Sequence, residues 1–448
     1  MTAKRWDGLV YSAAVVLPRL PAFLLLPAIA SVLSLSDMGK LATSWVFIEL
    51  FQTLAGMGLK AALGRYFPIA VESAERREIL TVALSGILAG GLALGLIAWG
   101  AFAWPLARGQ IHFFQVIDPR VFSALLGASM IGNLASTFII YFRAEQKALA
   151  FLMASVIGAA AELGLSLALL KTGHVSLLNL LLVECLKQAA MLAFIAHQGR
   201  RDWGFAFSRK TLRTMYAFGI WLVPVGLGEW LVTSSDRFWL GQQADLGKVG
   251  VYGFLYKFAM PLGVLFTGSL MDLHARLYRM DDAEGLRFTQ DRLARFLGRS
   301  GMLMLGYALL IPAAFHALMI FHPVFPAAYM RGLAAFPLMV AVLYTFYWGK
   351  YYAMYLEYRF RAKALTAALT LAAAASMILI PLAIRLCLAN GWDVLAGTAY
   401  GALAAQLLSM GFLGRLAGLP GSRANGIKGL VFVAACMAAS WLWGFLGP

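Results

Sequence analysis

Residues 37–40 read DMGK, and residues 245–248, which lie 208 positions later, read DLGK. A second pair of similar stretches has nearly the same spacing: RAEQKAL at 143–149 and RFRAKAL at 359–365 are 216 positions apart. Each match is weak, but the two support each other because their spacings are nearly equal. Together they predict that the chain contains two copies of one structural unit.

The composition is that of an integral membrane protein. Hydrophobic residues make up 61% of the 448 residues and charged residues only 13%, whereas soluble domains have about 25% charged residues. Apolar stretches of about 20 residues, each long enough to cross a bilayer as a helix, recur along the whole chain. We therefore predict an all-α polytopic fold without a soluble domain. The thirteen predicted spans are 9–35, 41–63, 79–104, 121–141, 149–170, 176–196, 215–235, 249–271, 301–321, 333–356, 365–384, 396–413 and 429–446.

The distribution of Lys and Arg predicts how these spans are oriented. If the N-terminus is cytoplasmic, the cytoplasmic loops carry 24 of the 37 Lys and Arg residues and the outer loops carry eight. Such a bias is typical of a multi-pass protein and explains most of the net charge of +16 without nucleic acid as a partner. We expect the bacterial cytoplasmic (inner) membrane as the location.

The repeat predicts two lobes that run in the same direction. DMGK follows the first predicted span and DLGK follows the seventh, so an even number of spans separates the two copies. This is the pattern of parallel repeats related by a pseudo-two-fold axis along the membrane normal. The predicted domains are a six-helix lobe at 1–196, a cytoplasmic linker at 197–214, a second six-helix lobe at 215–415 and an additional C-terminal helix at 416–448.

Arg19 is the clearest candidate for a functional charge within a span. It lies in VLPRLPAFLLLP (16–27), about 15 Å from the start of the helix at 1.5 Å per residue. Three prolines surround it and predict a bent helix. A buried cation on a bent helix indicates the wall of a cavity.

Several other ionisable residues fall well inside predicted spans. Glu49 and Lys257 each lie twelve residues after the Asp of a repeated tetrapeptide, so we predict that they face one another as an ion pair or as two poles of a ligand site. Lys60 and Lys350 lie close enough to the cytoplasmic ends of their spans to extend the ammonium into the interface. The remaining candidates are Glu162, Glu184, Lys187 and Glu229.

The roles of these charges stay open at this stage. Glu184 and Lys187 are spaced i,i+3, which favours a local ion pair. A buried carboxylate can also exchange an ion as a cavity opens, so Glu162, Glu184 and Lys187 are candidates for coupling to a H⁺ or Na⁺ gradient. Charge balance is the structural alternative. No catalytic residues, metal ligands or cofactor are predicted, because the sequence lacks GxxxxGK[ST], HExxH and GxSxG.

Three stretches resemble the polysaccharide-transporter (Wzx-type flippase) branch of the multidrug/oligosaccharidyl-lipid/polysaccharide (MOP) exporter superfamily. They are SLSDMGKLATSW (34–45), GMGLKAALGRYFP (56–68) and residues 216–261, which look like the seventh and eighth helices of that family. The similarity extends over about 5–415, and its motifs are loose. Thirteen spans fit neither the twelve nor the fourteen that are common in the family.

The resemblance implies two six-helix lobes that move a polyprenyl-pyrophosphate-linked oligosaccharide from the cytoplasmic to the periplasmic leaflet. Arg19 and Lys257 match positions where family members carry cations in the central cavity, and Glu49 and Glu229 complete the expected substrate-binding set. The implied partners are the lipid-linked oligosaccharide, membrane lipid, a glycan polymerase and chain-length proteins. The product would be O-antigen, capsule or exopolysaccharide.

Three other functions remain as alternatives. A drug/cation antiporter of the same superfamily would need an acidic and aromatic cavity, whereas Arg19 and Lys257 favour an anion. A membrane glycosyltransferase or ligase would need larger outer loops than this chain has. A scaffold without transport activity would use the buried charges only as ion pairs.

Overall fold

The computed structural model describes residues 10, 13–14, 16–104, 109–145, 147–199, 206–277, 280, 282–321, 326–359, 361–418 and 422–446. Nearly all of these residues are helical, and none of them lies in a β-strand. Residues 200–205 of the predicted linker lie outside the described part of the chain. The all-α fold predicted from composition is therefore confirmed.

The helices of the first half follow the predicted spans closely. A 3₁₀ turn, Leu17–Arg19, leads into the first of them. The helices are α1 (Leu20–Val32), α2 (Leu35–Gly56), α3 (Leu59–Tyr66), α4 (Ser73–Ala103), α5 (His112–Val116), α6 (Pro119–Ala144), α7 (Ala148–Thr172), α8 (Leu177–Gly199) and α9 (Arg209–Gly219).

In the second half, several helices are joined by short 3₁₀ or π segments at 220–222, 296–300 and 327–335. The helices are α10 (Val223–Gln243), α11 (Leu246–Leu277), α12 (Asp282–Arg295), α13 (Gly301–Phe321), α14 (Phe336–Tyr358), α15 (Ala362–Asn390), α16 (Val394–Ala417) and α17 (Ser422–Leu446).

Each of the thirteen predicted spans contains a helix. By length and composition, ten helices of the described residues can cross a membrane, and the bent pair α2 and α3 makes an eleventh. The predicted span 41–63 is in fact interrupted, because the chain bends by 57° between Gly56 and Leu59. The predicted thirteenth span corresponds to α17, which packs on α13 and α14.

The chain divides into two compact units. The first comprises Met1–Leu33 and Thr43–Leu227, and the second comprises Ser34–Ala42 and Gly228–Pro448. The first turns of α2 therefore group with the second unit. The predicted lobe limits at 196 and 215 remain predictions.

The same chain path occurs once in each unit, at the second pair of repeated stretches. Between α6 and α7, Lys147 N donates to Phe142 O at 2.9 Å. Between α14 and α15, Arg361 N donates to Leu356 O, also at 2.9 Å. The same type of backbone hydrogen bond thus closes both connections, but the two bonds are 214 positions apart (361 − 147), whereas RAEQKAL and RFRAKAL are 216 apart.

The helices that follow these stretches also correspond. α7 is followed by Gly173 (φ 70°) and α15 by Gly391 (φ 68°), and the left-handed backbone of these glycines terminates each helix. α8 then packs on α6 and α7, as α16 packs on α14 and α15. The helix triplets α6–α8 and α14–α16 are thus two copies of one arrangement.

The tetrapeptides DMGK and DLGK carry the same ion pair. Asp37 Oδ1 lies 2.9 Å from Lys40 Nζ, and Asp245 Oδ2 lies 3.6 Å from Lys248 Nζ. In both copies the pair joins residues i and i+3 in the first turn of a helix, where an acidic group also favours the positive end of the helix dipole.

The two tetrapeptides lie against each other within the second unit. A Cβ atom built on Gly39 would lie 1.7 Å from Leu246 O, and one built on Gly250 would lie 2.2 Å from Leu35 O. Only residues without a side chain allow two helix backbones to approach so closely. Gly39 of DMGK and Gly250, which lies two residues after DLGK, therefore provide the contact between the start of α2 and the start of α11.

α14 is the central helix of the second unit. Its span, Ala327–Tyr358, is the most buried of the candidate membrane spans in the described part of the chain. Tyr344 on α14 donates to Leu297 O at 3.1 Å, and its ring lies 4.1 Å from that of Phe432 on α17. Lys350, which lies on α14, is accordingly half-buried.

Candidate functional site

A cluster of three charges lies in the interior of the first unit. Lys187 Nζ on α8 lies 2.5 Å from Glu184 Oε2 and 3.1 Å from Glu162 Oε2 on α7. The i,i+3 pair of Glu184 and Lys187 thus forms as predicted. The cluster has two carboxylates for one ammonium, and so carries one net negative charge when all three groups are ionised.

This cluster of Glu162, Glu184 and Lys187, the Lys187 cluster, is largely buried. The side chains of Glu162, Glu184 and Lys187 are 11%, 6% and 10% exposed. Gln188 Nε2 donates to Glu184 Oε1 at 2.7 Å, and the Lys187 ammonium lies 5.8 Å from the ring centroid of Trp45. Hydrogen bonds and a cation–π contact therefore surround the ion pairs and fix their geometry.

A second charge pair lies in the second unit. Glu229 on α10 accepts a short hydrogen bond from Lys350 Nζ on α14. The Lys350 ammonium also lies 5.3 Å from the ring centroid of Phe346. That the Lys350 ammonium extends into the interface remains a prediction, and the structure adds a carboxylate partner 121 positions away in the sequence.

The Glu229–Lys350 pair lies at a small pocket between helices of the second unit. Gln406 on α16 also lines it, and Gln406 is only 3% exposed while its Nε2 has no hydrogen-bond partner. The pocket thus offers a carboxylate, an ammonium and a free amide donor. The other lining residues are apolar or small: Val232, Phe346, Gly349, Ala353, Leu369, Ser409, Met410 and Leu413.

Arg19 lies where the chain changes from a 3₁₀ turn to an α-helix. Pro18 lies in the 3₁₀ turn, Pro21 lies in the first turn of α1, and Pro27 lies inside α1. The Arg19 side chain is exposed, and it has no hydrogen-bond or ion-pair partner among the described residues. A guanidinium in this state is available to a ligand.

The two remaining candidates lie on different units. Glu49 is exposed on α2 in the first unit, and its backbone carbonyl accepts from Thr53 Oγ1 at 2.9 Å. Lys257 is half-buried on α11 in the second unit, one turn before Pro261. That Glu49 and Lys257 face one another remains a prediction.

The structure therefore brings Glu162, Glu184 and Lys187 into one cluster and pairs Glu229 with Lys350. Sequence spacing indicated the Glu184–Lys187 pair but gave no sign that Glu162 on another helix completes it. The pairing of Lys350 with Glu229 and the buried amide of Gln406 were not predicted. Among the described residues, no group of three or more His, Cys, Asp and Glu side chains could hold a metal ion.

The fold is that of known transporters. An outward-facing multidrug resistance MATE family transporter of the MOP superfamily is 14% identical, with a TM-score of 0.63 over 96% of this chain and 95% of that chain. The eukaryotic MATE transporter AtDTX14 is 12% identical, with a TM-score of 0.61 over 98% and 96%. A mutant of the Vibrio cholerae MATE transporter VcmN is 15% identical, with a TM-score of 0.58 over 93% and 96%.

The sequence itself carries a family match. A search of curated proteins finds no match. In contrast, residues 6–272 match the family model described as "Polysaccharide biosynthesis protein". The match covers more than half of the chain and includes Arg19, the Lys187 cluster and the repeated tetrapeptides. This multi-pass membrane protein, with the fold of MOP-superfamily transporters, therefore belongs to the polysaccharide biosynthesis protein family.

Proposed function

We propose that this protein is a flippase that moves a polyprenyl-pyrophosphate-linked oligosaccharide from the cytoplasmic to the periplasmic leaflet of the bacterial inner membrane. The family match supports a substrate of polysaccharide biosynthesis. The fold supports transport by alternating access, because the structures it resembles include both outward-facing and inward-facing transporters.

The observation that carries the proposal is the state of Arg19. An ionised side chain at membrane depth costs about 2.5–3.5 kcal/mol, and such residues normally have a partner. No described residue forms a hydrogen bond or ion pair with Arg19, whose side chain is exposed, so a ligand can supply the partner. A pyrophosphate is suited to this role, since guanidinium binds phosphate oxygens through two parallel hydrogen bonds.

The other candidate residues have secondary roles in this proposal. Lys257 contributes a second positive charge toward the pyrophosphate. Glu49 and Glu229 accept hydrogen bonds from sugar hydroxyl groups, and Lys350 holds the Glu229 carboxylate in place. The polyprenyl chain stays in the lipid, since only the polar headgroup needs a path through the membrane.

The Lys187 cluster is the proposed ion-coupling site. Its net negative charge is suited to binding H⁺ or Na⁺. Because the carboxylates are buried, a rearrangement of α7 and α8 would change their affinity for the ion. The partner glycan polymerase and chain-length proteins are part of the same proposal, because they would consume the translocated product.

Antiport of drugs or cations is the alternative that the solved neighbours suggest. A cationic substrate would be repelled by an unpaired Arg19. Reconstitution separates the two functions. We expect proteoliposomes containing the purified chain to translocate a fluorescent polyprenyl-diphosphate-linked oligosaccharide and to leave ethidium uptake at the level of empty liposomes. Ethidium uptake without lipid translocation would contradict the proposal.

The Arg19→Ala variant should translocate the lipid-linked oligosaccharide at least about tenfold more slowly, because loss of one charge-assisted contact is worth about 1.5–3 kcal/mol. Arg19→Lys should lose less, since it keeps the charge. Initial rates in proteoliposomes measure both. Arg415→Ala, on α16 near the predicted cytoplasmic loop, serves as the control. A wild-type rate for Arg19→Ala would exclude this residue from substrate binding.

The Glu162→Gln variant tests whether translocation is coupled to a H⁺ or Na⁺ gradient. We expect a pH or Na⁺ gradient to accelerate translocation by the wild type, and Glu162→Gln to remove this acceleration while exchange without a gradient continues. Glu145→Gln is the matched control, because Glu145 also pairs with a basic residue, Arg76, at 3.0 Å but outside the cluster. Equal acceleration in Glu162→Gln and the wild type would contradict the coupling role.

A further inference from the structure

The break between α2 and α3 creates a helix N-terminus inside the first unit. Met57 (φ 42°) and Gly58 (φ 73°) both adopt left-handed backbone conformations, and the two helices meet at 57°. The first backbone hydrogen bond of α3 runs from Ala62 N to Gly58 O at 3.1 Å. The N–H groups that precede Ala62 in this turn therefore lack the carbonyl partners that a continuous helix would provide.

Lys60 lies in this first turn of α3. Its side chain is half-buried and makes no hydrogen bond or ion pair with any residue that the structure describes. Both the free N–H groups and the helix dipole add positive potential at the same end of α3. An ammonium at a helix N-terminus is unfavourable by itself, so the combination indicates that a negative group compensates it.

Asn133 on α6 is an independent sign of a missing partner. It is only 1% exposed, and neither Nδ2 nor Oδ1 of its side chain has a hydrogen-bond partner. Two unsatisfied polar atoms on one buried side chain are rare in folded proteins and require an explanation. The amide can rotate to present either atom, so it can donate to an acceptor placed beside it.

The side chains of Asn133 and Lys60 both lie next to Gly56. A Cβ atom built on Gly56 would have Asn133 Oδ1 and Lys60 Cε as its nearest neighbours, each at 4.0 Å. The glycine thus leaves a gap between the amide and the lysine side chain. No backbone atom borders the gap closely, in contrast to the tight glycine contact at Gly39.

We propose that Lys60, Asn133 and the first turn of α3 form a binding site for a phosphate group. The ammonium, the amide and the helix N-terminus all favour an acceptor with negative charge, and no described carboxylate contacts Lys60 to satisfy it internally. The site is formed by α3 and α6, whereas Arg19 lies in the 3₁₀ turn before α1 of the same unit.

The proposal rests on the proposed function in one respect, because a flippase substrate would supply this phosphate as part of its pyrophosphate. The predicted cytoplasmic position of Lys60 would make the site a first contact for the headgroup before it reaches Arg19. The same chemistry could be supplied by the phosphate of a bulk anionic lipid, and the experiment distinguishes the two sources.

Binding of radiolabelled inorganic pyrophosphate to the full-length protein in phosphatidylcholine nanodiscs tests the site. We expect Lys60→Gln, Asn133→Leu and Gly56→Ala each to weaken binding at least about tenfold, since each removes or blocks a charge-assisted contact. Gly56→Ala should fold normally, because the nearest atoms to its new methyl group are 4.0 Å away.

Gly91→Ala is the matched control. Its Cβ would also make only ordinary contacts, with Met130 Cγ at 3.7 Å and Ala55 Cβ at 3.9 Å, but no polar group borders it. Gly91→Ala should bind pyrophosphate like the wild type. Equal affinities of Gly56→Ala, Lys60→Gln and the wild type would overturn the proposal, as would a wild type that binds no pyrophosphate.

Competition identifies the natural source of the phosphate. Displacement of pyrophosphate by polyprenyl diphosphate but not by phosphatidylglycerol supports the site as part of the substrate path. Displacement by both supports it as a site for anionic headgroups in general. If the binding results hold while lipid translocation is absent, the proposed function fails and the phosphate site stands; if translocation occurs and the variants bind normally, only the site fails.

Discussion

Replacing Lys187 by Met is expected to lower the free energy of unfolding by about 3–5 kcal/mol, the cost of leaving buried charges without their partner. Lys187 holds two carboxylates, at 2.5 Å and 3.1 Å, that are themselves 6% and 11% exposed. Without the ammonium, these carboxylates would repel one another in a shielded interior. We would unfold the purified protein with SDS and monitor the loss of helical circular dichroism. The two unfolding curves give the difference in the free energy of unfolding between the variant and the wild type.

A charge-matched variant separates lost charge compensation from lost packing. The triple variant Lys187→Met, Glu162→Gln, Glu184→Gln removes all three charges and should recover most of the stability, because neutral amides can hydrogen-bond to one another. If the triple variant is as unstable as Lys187→Met alone, packing of the lysine stem and not charge compensation is the source of the effect.

Replacing Gly39 by Ala should destabilise the second unit by about 3 kcal/mol, at the upper end of what overpacking usually costs. The added methyl group would lie 1.7 Å from Leu246 O, a backbone atom that cannot rotate away. The two helix starts would have to separate. The thermal unfolding temperature of the purified protein should fall accordingly.

Gly95→Ala provides the comparison for this prediction. Gly95 is on α4, and a Cβ there would meet no other atom within 4 Å, so alanine should leave stability unchanged or raise it through its higher helix propensity. A Gly39→Ala variant that is as stable as Gly95→Ala would show that the close contact between α2 and α11 does not form.

The helices were predictable from sequence because each is an apolar run long enough to cross the membrane. The interruption at Met57 and Gly58 was not predicted, since glycines such as those of GMG (56–58) are also common in continuous membrane helices. The predicted span 41–63 therefore contains the N-terminus of α3, which the sequence did not indicate. Hydropathy reports which residues can lie in lipid, and it contains no information about backbone dihedral angles.

The candidate site was predictable only where its residues are close in sequence. Glu184 and Lys187 share one helix face, so their spacing shows the pair. Glu162 joins them from α7 and Lys350 meets Glu229 across the second unit, and such contacts depend on which faces of different helices meet. Unsatisfied groups such as those of Asn133 become visible only once every neighbour has a position.

The meeting of DMGK with DLGK also bears on how such a chain can arise. When a segment packs against the repeated version of itself, the two surfaces are equivalent, which is the property of an isologous interface in a symmetric homodimer. A polypeptide of half this length, carrying one such glycine-containing helix start, would already present the surface needed to associate with its twin. Duplication and fusion of a shorter gene would preserve an interface of this kind.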